Sequence, residues 1–536
     1  MKQKNVLLPG LAVSALLTGL VVCHPDLWVL EWFSMVPLGI GLLTLASDTT
    51  TRLRRLYAYG FFYFLCFGVV VFHWFGELYP LSFIDGMTKG GALLITLLGW
   101  LGMSALQAAM GGLVFLLAGF LFRGRFCRRL PLLMPFFAGG LWAVYEWTQT
   151  LGFWGVPWGR LAIGQTGFLI GVQTASLLGS YFITFLLVSF NFLLAYALLH
   201  KSNRSVLRLS ALLASGILLI QYGVGAMLYG MNRPDTGETV RVAAVQGNVD
   251  SGEKWDEASR EKTVRIYSQS TRRAAEQGAQ VVIWPESAFP YTLQEGHGAY
   301  AVASSLAEET GVTILAGGFV FGEDGEGEYN AMVCFLPDGS ALDTVYAKRH
   351  LVPFGEYVPM EPLFAILIPP LTQMEMSGMY LLPGKRAEVF SLSEGAFGSL
   401  ICFDSIYEDS VRDSVLGGAE VLCVSTNDSW FGDSSALKMH HAQSQLRAVE
   451  NNRYVVRSAN TGLTSVISSR GEVLCEIEPN EDGLLLGEVV PQTSVTLYTK
   501  IGNLFVYLWI LVILLSVASE VIRSQKEKRK DGSACR

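Results

Sequence analysis

VRVAAVQGNV, at residues 240–249, marks the point at which long apolar runs give way to short β-branched segments. This stretch predicts a buried strand, and charged helical patterns follow at 256–277, 408–417 and 435–451. Short strands that alternate with helices predict an α/β domain with layered sheets. The further predicted strands lie at 280–284, 313–321, 330–336, 398–403, 421–425, 454–458, 464–468 and 484–489.

The chain before residue 240 is much more apolar. A helix needs about 20 apolar residues to cross a bilayer, and eight nearly uncharged runs approach or exceed that length. Overall, 51% of the 536 residues are hydrophobic and 16% are charged, which disfavours a wholly soluble protein. We therefore predict a polytopic α-helical membrane part with spans near 5–23, 27–47, 56–76, 90–122, 131–149, 168–199, 206–229 and 501–522.

The apolar part and the α/β part of the chain also differ in net charge. Residues 1–232 carry 14 Lys and Arg against 6 Asp and Glu, whereas residues 233–522 carry 19 against 38. The tail 523–536 is basic again, with 6 against 2. An acidic, water-exposed body argues against nucleic acid as a partner, and an apolar, basic front indicates a lipid bilayer.

The basic residues also predict an orientation, because Lys and Arg concentrate in cytoplasmic connections. With the large acidic domain left aside, the alternate connections of the eight-span arrangement hold 18 and 2 of them. Both termini are then cytoplasmic and the acidic domain is external. The predicted organisation is a seven-span region at 1–230, an external domain at 231–500, an eighth helix at 501–522 and a cytoplasmic tail at 523–536.

Two other patterns are less informative. Four tryptophans near the outer end of the fifth span, Trp142, Trp147, Trp154 and Trp158, are interpreted as an interfacial aromatic belt rather than a substrate site. The 8 cysteines and 7 histidines lack the spacing of zinc ligands. We predict no metal site.

Chemistry is concentrated at three strand ends. Glu286 follows the strand 280–284, Lys348 follows strands near 330–346, and Cys402 ends the strand 398–403. A carboxylate that takes a proton, an ammonium that stabilises an oxyanion and a thiol indicate nucleophilic catalysis. On the residues alone, a cysteine at the end of an apolar strand is more often a packing residue, and Glu286 and Lys348 could equally form a structural ion pair.

The surrounding motifs favour catalysis. WPES at 284–287, the segment 348–356 and ICFD at 401–404 resemble the Glu–Lys–Cys signature of the carbon–nitrogen hydrolase (nitrilase) superfamily, in the same chain order. More narrowly, the chain resembles the apolipoprotein N-acyltransferase family of membrane enzymes. That similarity is carried by VQGNV at 245–249, KW at 254–255, KRHLVPFGEYVP at 348–359 and STNDSWFG at 425–432. The chain departs from the family at Phe403 and Asp404, where many members have Tyr-Glu.

This resemblance covers essentially the whole chain. It implies a nitrilase-like α-β-β-α sandwich outside a bacterial cytoplasmic (inner) membrane. It also implies transfer of an acyl chain from a membrane phospholipid, through a thioester on Cys402, to the amine of a diacylglyceryl lipoprotein. No cofactor is expected. Glu286, Lys348 and Cys402 would be catalytic, with supporting or substrate-binding roles for Glu356, Trp255, Phe403, Asp404, Asn427 and Trp430.

The apolar, Met-rich stretch Met360–Leu382 contains Pro369-Pro370 and predicts a loop that dips into the membrane. A helix packed on the domain core is the alternative. Competing functions are a membrane-anchored nitrilase-type amidase, a non-catalytic accessory domain of a membrane transferase, and a transporter or scaffold. The apolar loop disfavours the amidase, and the scarcity of charges within the spans disfavours a transport path.

Overall fold

The computed structural model describes residues 4–534, except for 82, 83, 85, 153, 154, 232–236, 250–256, 290, 323, 324, 363–365 and 367–380. Trp255 and most of the stretch 360–382 lie outside the described residues. The hypotheses about them therefore stay predictions.

Two sheets of six strands each form the centre of the external domain. The strands, numbered in chain order from β1 to β12, are Val240–Gln246, Val281–Ile283, Thr313–Phe321, Glu328–Phe335, Ala341–Ala347, Val389–Leu392, Gly395–Ile401, Val421–Thr426, Tyr454–Ala459, Thr464–Ile467, Val473–Ile477 and Gly483–Val489. In the first sheet the order is β12-β1-β2-β3-β4-β5, and in the second it is β11-β10-β9-β8-β7-β6.

Strand direction decides where the polar loops meet. Strands β1, β2 and β3 are parallel in the first sheet, as are β7, β8 and β9 in the second. Strand β5 is antiparallel to β4, which is antiparallel to β3, so β5 runs in the direction of β3. The carboxyl ends of β2 and β5 therefore lie at one edge of the first sheet.

Apolar side chains fill the space between the sheets and beneath the helices. Val242, Val281, Phe397 and Val421 lie between the sheets and are fully buried. Helices Glu257–Glu276 and Gly298–Thr310 cover the outer face of the first sheet, and helices Glu408–Leu416 and Ala436–Asn451 cover the second. Strands buried on both faces explain the near-continuous apolar runs in the sequence. The predicted α-β-β-α sandwich is confirmed.

The remainder of the described chain is helical. Six stretches are long and apolar enough to cross a bilayer: Pro25–Ser47, Leu53–Val71, Lys89–Phe122, Ser180–Leu199, Arg204–Met231 and Leu504–Glu527. The helices are Lys4–Cys23, Trp28–Ser34, Val36–Ser47, Leu53–Val71, Lys89–Phe122, Arg125–Arg129, Met134–Thr148, Leu161–Gly164, Ala175–Leu178, Ser180–Leu199, Arg204–Leu218, Gly225–Met231, Leu497–Ile501 and Leu504–Ala534, with a π-helical segment at Leu219–Val224.

Six candidate spans are fewer than the eight that the sequence predicts. The runs at 5–23 and 131–149 do form helices, Lys4–Cys23 and Met134–Thr148, and among the described residues the first contributes the shorter apolar helix Leu7–Cys23. The second has 15 residues, or about 23 Å, against a hydrocarbon core of about 30 Å. The run at 90–122 is one uninterrupted helix, as predicted. The count of eight stays a prediction.

The helical part and the external domain share an aromatic cluster. The Trp158 ring lies 5.1 Å from the Phe431 ring and 5.8 Å from the His440 ring, between centroids. Trp158 is 1% exposed and Trp142, which packs on Phe64, is 3% exposed. The aromatic-belt interpretation is therefore wrong for Trp142 and Trp158, because both rings are buried inside the protein.

Candidate active site

Three strand ends bring Glu286, Lys348 and Cys402 together. Glu286 lies three residues after β2, Lys348 directly follows β5, and Cys402 directly follows β7 in the facing sheet. The Lys348 Nζ atom donates to Glu286 Oε1 at 2.8 Å. The charges of both residues act on the Cys402 thiol. The predicted trio therefore forms one cluster at the end of the sandwich.

Gly317 of β3 makes room for the loop that carries Glu286. A Cβ atom at this position would overlap the Pro285 carbonyl and lie 3.1 Å from Glu286 Cα. Only glycine lets the loop rest directly on the neighbouring strand. On its other side, Glu286 Oε2 accepts from the Asn427 backbone N–H at 2.9 Å. Both carboxylate oxygens are thus held in place.

Lys348 lies between two carboxylates. Its Nζ atom also lies 2.9 Å from Glu356, whose Oε2 accepts from the Val352 N–H at 2.8 Å. Burial alone would lower the pKa of Lys348, but the charges of Glu286 and Glu356 outweigh it and hold that pKa well above its usual value. Burial raises the pKa of Glu356, against the attraction of Lys348. An ammonium ion is therefore maintained in a water-poor site.

Asn330 is a member of this cluster that the sequence analysis missed. Its Nδ2 atom donates to Glu286 Oε1 at 2.8 Å and to Glu356 Oε1 at 3.1 Å, and its backbone C=O accepts from Lys348 N–H. Asn330 belongs to β4, where an amide side chain is unusual among buried apolar neighbours. An amide within an apolar strand was the sequence signal that could have identified Asn330 as part of the site. The amide bridges the two carboxylates that flank Lys348.

Cys402 has a strained backbone and a protonated thiol. Its φ angle is 48°, in the left-handed region that non-glycine residues seldom adopt. Burial raises the pKa of Cys402, the charge of Glu286 raises it further, and Lys348 opposes both. The thiol therefore needs a base to become nucleophilic. Glu286 is the carboxylate whose charge acts most strongly on the thiol.

Asp404 ties the loop after Lys348 to the turn after Cys402. It accepts from Tyr346 O–H at 2.7 Å and from His350 N–H at 2.8 Å. Burial would raise the pKa of Asp404, but bonding to His350 and Tyr346 lowers it. Phe403 packs edge-on against Tyr407, with centroids 5.6 Å apart.

The remaining predicted residues differ in position. Asn427 contributes its backbone to Glu286, and its Oδ1 accepts from Asn460 Nδ2 at 3.1 Å. Trp430 is half-buried and packs on the apolar cluster that the helical part and the external domain share. Trp255 lies outside the described residues. The described site thus has a carboxylate and an ammonium in contact, a thiol on which both charges act, a second carboxylate, and a wall that adjoins the helical part.

Comparisons with known proteins agree on the family. Residues 241–497 match the model for carbon-nitrogen hydrolase, and residues 14–193 match that for the apolipoprotein N-acyltransferase N-terminal domain. An apolipoprotein N-acyltransferase of Gloeobacter violaceus is 32% identical over 92% of this chain and 90% of its own. One from Geobacter metallireducens is 33% identical over 68% of this chain and 70% of its own. Among solved structures, an amidase from Nesterenkonia sp. is 19% identical, with a TM-score of 0.36 over 51% of this chain and 97% of its own. The chain belongs to the apolipoprotein N-acyltransferase family.

Proposed function

We propose that this chain transfers a fatty acyl group from a membrane phospholipid to the N-terminal amine of an S-diacylglyceryl-cysteine lipoprotein. The observation that carries the proposal is the buried contact of Lys348 with Glu286 and Glu356 beside the Cys402 thiol. A base, a cation and a nucleophile in one dry site suit acyl transfer through a covalent intermediate. Membership of the N-acyltransferase family supports the lipoprotein as acceptor.

In the first half-reaction, Glu286 accepts the Cys402 Sγ proton and the thiolate attacks the carbonyl carbon of the phospholipid ester. Lys348 stabilises the negative oxygen of the tetrahedral intermediate. When the ester C–O bond breaks, Glu286 returns the proton to the leaving oxygen. Lysophospholipid departs and a thioester remains on Cys402.

In the second half-reaction, the free α-amine of the lipoprotein attacks the thioester and loses a proton to Glu286. The C–S bond breaks, the thiolate takes the proton back, and the triacylated lipoprotein leaves. Glu356 holds the Lys348 ammonium in position through the contact at 2.9 Å. A two-step reaction of this kind has ping-pong kinetics.

The proposed topology brings this chemistry to the outer leaflet. We assign residues 1–230 to seven spans, 231–500 to the external domain, 501–522 to an eighth helix and 523–536 to a cytoplasmic tail. The 18-to-2 distribution of Lys and Arg supports cytoplasmic termini and a bacterial inner membrane. The apolar composition of 360–382 supports a membrane-dipping loop that admits acyl chains.

Intact-protein mass spectrometry tests the reaction directly. Wild type and Cys402→Ala are incubated with phospholipid in detergent and then with a diacylglyceryl-cysteine peptide. We expect a fatty-acyl adduct on wild type alone, and its discharge onto the peptide. Discharge by water alone would favour the nitrilase-type amidase. No adduct with any phospholipid would favour an accessory domain.

A further inference from the structure

A second buried polar cluster lies behind Cys402, apart from the carboxylates that flank Lys348. Asp428 accepts from Arg457 Nη2 at 2.5 Å and from Thr426 Oγ at 2.8 Å, and its Oδ1 lies 2.9 Å from His440 Nδ1. Asp428, His440 and Arg457 are each at most 1% exposed. The proposed chemistry uses none of them.

The far side of His440 faces the backbone of Cys402. Its Nε2 atom lies 3.1 Å from Ser405 Oγ and 3.3 Å from the Cys402 carbonyl oxygen. Ser405 Oγ donates to the same carbonyl oxygen at 2.7 Å. A continuous polar connection therefore runs from Asp428 through His440 and Ser405 to the peptide of Cys402.

Asp428, His440 and Ser405 have the order of a serine nucleophile triad, but burial excludes that use. Ser405 is fully buried, so no substrate carbonyl reaches its hydroxyl, and that hydroxyl is bonded to Cys402. The connection ends on a backbone carbonyl rather than on a reacting atom. The connection is therefore placed to hold the Cys402 peptide in position rather than to react with a substrate.

Cys402 needs such a support because of its φ angle of 48°. A non-glycine residue in this region costs on the order of 1–3 kcal/mol and persists only where its surroundings impose it. In this conformation the charges of Glu286 and Lys348 both act on the thiol. Releasing the carbonyl would let the peptide relax and move the thiol away from both.

The protonation of His440 fits this arrangement. Burial lowers the pKa of His440 below its usual value, and the nearby charge of Arg457 lowers it further. The single hydroxyl hydrogen of Ser405 goes to the Cys402 carbonyl, so Ser405 Oγ accepts from the ring. A neutral ring has one N–H, which therefore lies at Nε2, while Nδ1 lies 3.1 Å from Arg457 Nη2 and accepts from it. The charges of Asp428 and Arg457 offset each other.

We propose that Asp428, His440 and Ser405 are positioning residues that hold Cys402 in its left-handed conformation and thereby align the thiol for attack. The inference rests on the proposed function in taking Cys402 as the acyl carrier. Its consequence is specific: loosening this support slows formation of the thioester without changing the affinity for phospholipid.

The next residue along the helix provides a matched control. His441 is also buried, but its Nε2 contacts Ser465 Oγ of β10 at 2.9 Å and not the Cys402 peptide. The variants are Ser405→Ala, His440→Leu, His440→Gln, Ser405→Ala with His440→Leu, and His441→Leu. Each full-length protein is purified in detergent and its thermal midpoint is measured first.

Two rates are then compared. One is formation of the acyl adduct from phospholipid, with its dependence on lipid concentration. The other is alkylation of Cys402 by iodoacetamide, followed on the Cys402 peptide by mass spectrometry. Alkylation requires no lipid, so it tests the position of the thiol even if the proposed function fails.

We expect Ser405→Ala and His440→Leu to slow both rates on the order of 10- to 100-fold, the cost of a misplaced reacting group, with an unchanged KM for phospholipid. His440→Gln should recover part of the loss, and the double variant should be no slower than His440→Leu because both act through one carbonyl. His441→Leu should match wild type.

Equal losses in His440→Leu and His441→Leu would overturn the inference, because burial alone would then explain them. So would normal alkylation in both Ser405→Ala and His440→Leu. Should His440→Leu not fold, Ser405→Ala removes a single buried oxygen and decides alone. If wild type forms no acyl adduct, the proposed function is wrong, and the alkylation rates still decide the positioning role.

Discussion

Lys348 is confined more tightly than any simple ion pair requires. Its ammonium is shared between Glu286 and Glu356 at 2.8 and 2.9 Å, and the side chain is 2% exposed. A compact ammonium fits between two carboxylates and still offers a third N–H to an oxyanion. A planar guanidinium is larger and directs its donors differently.

We therefore expect Lys348→Arg to lower the rate of acyl-adduct formation on the order of 10²–10³-fold, the typical effect of losing an oxyanion donor. Intact-protein mass spectrometry after mixing with phospholipid measures the rate. Lys438→Arg, at an exposed helix position, is the control. Normal turnover of Lys348→Arg would exclude Lys348 as the oxyanion donor.

The variant Glu286→Gln distinguishes two effects of Glu286: its action as the base, and the influence of its charge on the pKa of Cys402. After burial, the charge of Glu286 is what raises the pKa of Cys402 most. Its removal lowers that pKa, so the iodoacetamide alkylation profile of Cys402 should move to lower pH. Acylation should nevertheless fall on the order of 10²–10⁴-fold, because no base remains.

The two readouts of Glu286→Gln thus move in opposite directions, which simple misfolding cannot produce. Alkylation of the Cys402 peptide is measured between pH 6 and about 10, spanning the usual thiol pKa. Glu308→Gln, on an exposed helix face, should leave both readouts unchanged. An alkylation profile that moves to higher pH would contradict the assigned electrostatics.

At the residue scale, the sequence predicts which reactive side chains follow the strands. Glu286, Lys348 and Cys402 stand out because each follows an apolar run, and the structure brings them together. Asn330 lies inside β4, and His440 lies in the middle of the helix Ala436–Asn451. Their contacts depend on how two sheets and a helix pack in three dimensions, and no local pattern encodes that packing.

At the element scale, a buried charge network joins the helical part to the external domain. Arg160 Nη1 lies 2.6 Å from Glu408 Oε1, and both side chains are at most 2% exposed. Arg447 lies between Glu408 and Glu450, and Glu450 accepts from the Ser180 N–H at 2.9 Å. Glu408 begins the helix that follows the Cys402 turn. The network therefore fixes that turn against the helical part.

Breaking this network should destabilise the whole chain. Arg160→Met leaves Glu408 buried with the more distant Arg447 as its remaining cation, a loss of about 3–5 kcal/mol. We expect a large drop in the thermal midpoint in detergent. Arg272→Met, which breaks an exposed pair with Glu309, should have almost no effect.

The double variant Arg160→Met with Glu408→Met sharpens this test. It removes both charges, so it should be more stable than Arg160→Met alone. Equal thermal midpoints for Arg160→Met and Arg272→Met would show that the network contributes nothing to stability. Greater instability of the double variant would point to packing rather than to charge.

Sequence predicts the longer elements better than the short ones at the edges. Strand β6 has 4 residues, and β11 alternates half-buried and exposed positions at the edge of the second sheet. Neither has a strong apolar pattern. The helix Gly298–Thr310 was missed because its buried face uses Ala299, Ala303 and Ala307 with a single Leu306, a weak signal by composition.

At the scale of the whole molecule, the described helices differ in how much of their surface is covered. The candidate span Ser180–Leu199 is 67% buried within the protein, whereas Leu504–Glu527 is 11% buried. Exposed leucines on the last helix, among them Leu508, Leu511 and Leu515, need a lipid environment. The helix Ser180–Leu199 is therefore central in the bundle, and the helix that ends the chain is peripheral.

The orientation of this bundle is the broadest prediction, and single cysteines test it. Ser393→Cys lies in the exposed turn between β6 and β7, and Ser202→Cys lies in the exposed loop between helices Ser180–Leu199 and Arg204–Leu218. In intact spheroplasts, an impermeant maleimide should label Ser393→Cys only. After lysis it should label both, with wild type giving the background. The physical reason is the concentration of Lys and Arg beside residue 202. Labelling of Ser202→Cys before lysis would reverse the topology and would separate the site from the outer leaflet, where the proposed lipoprotein acceptor must be met.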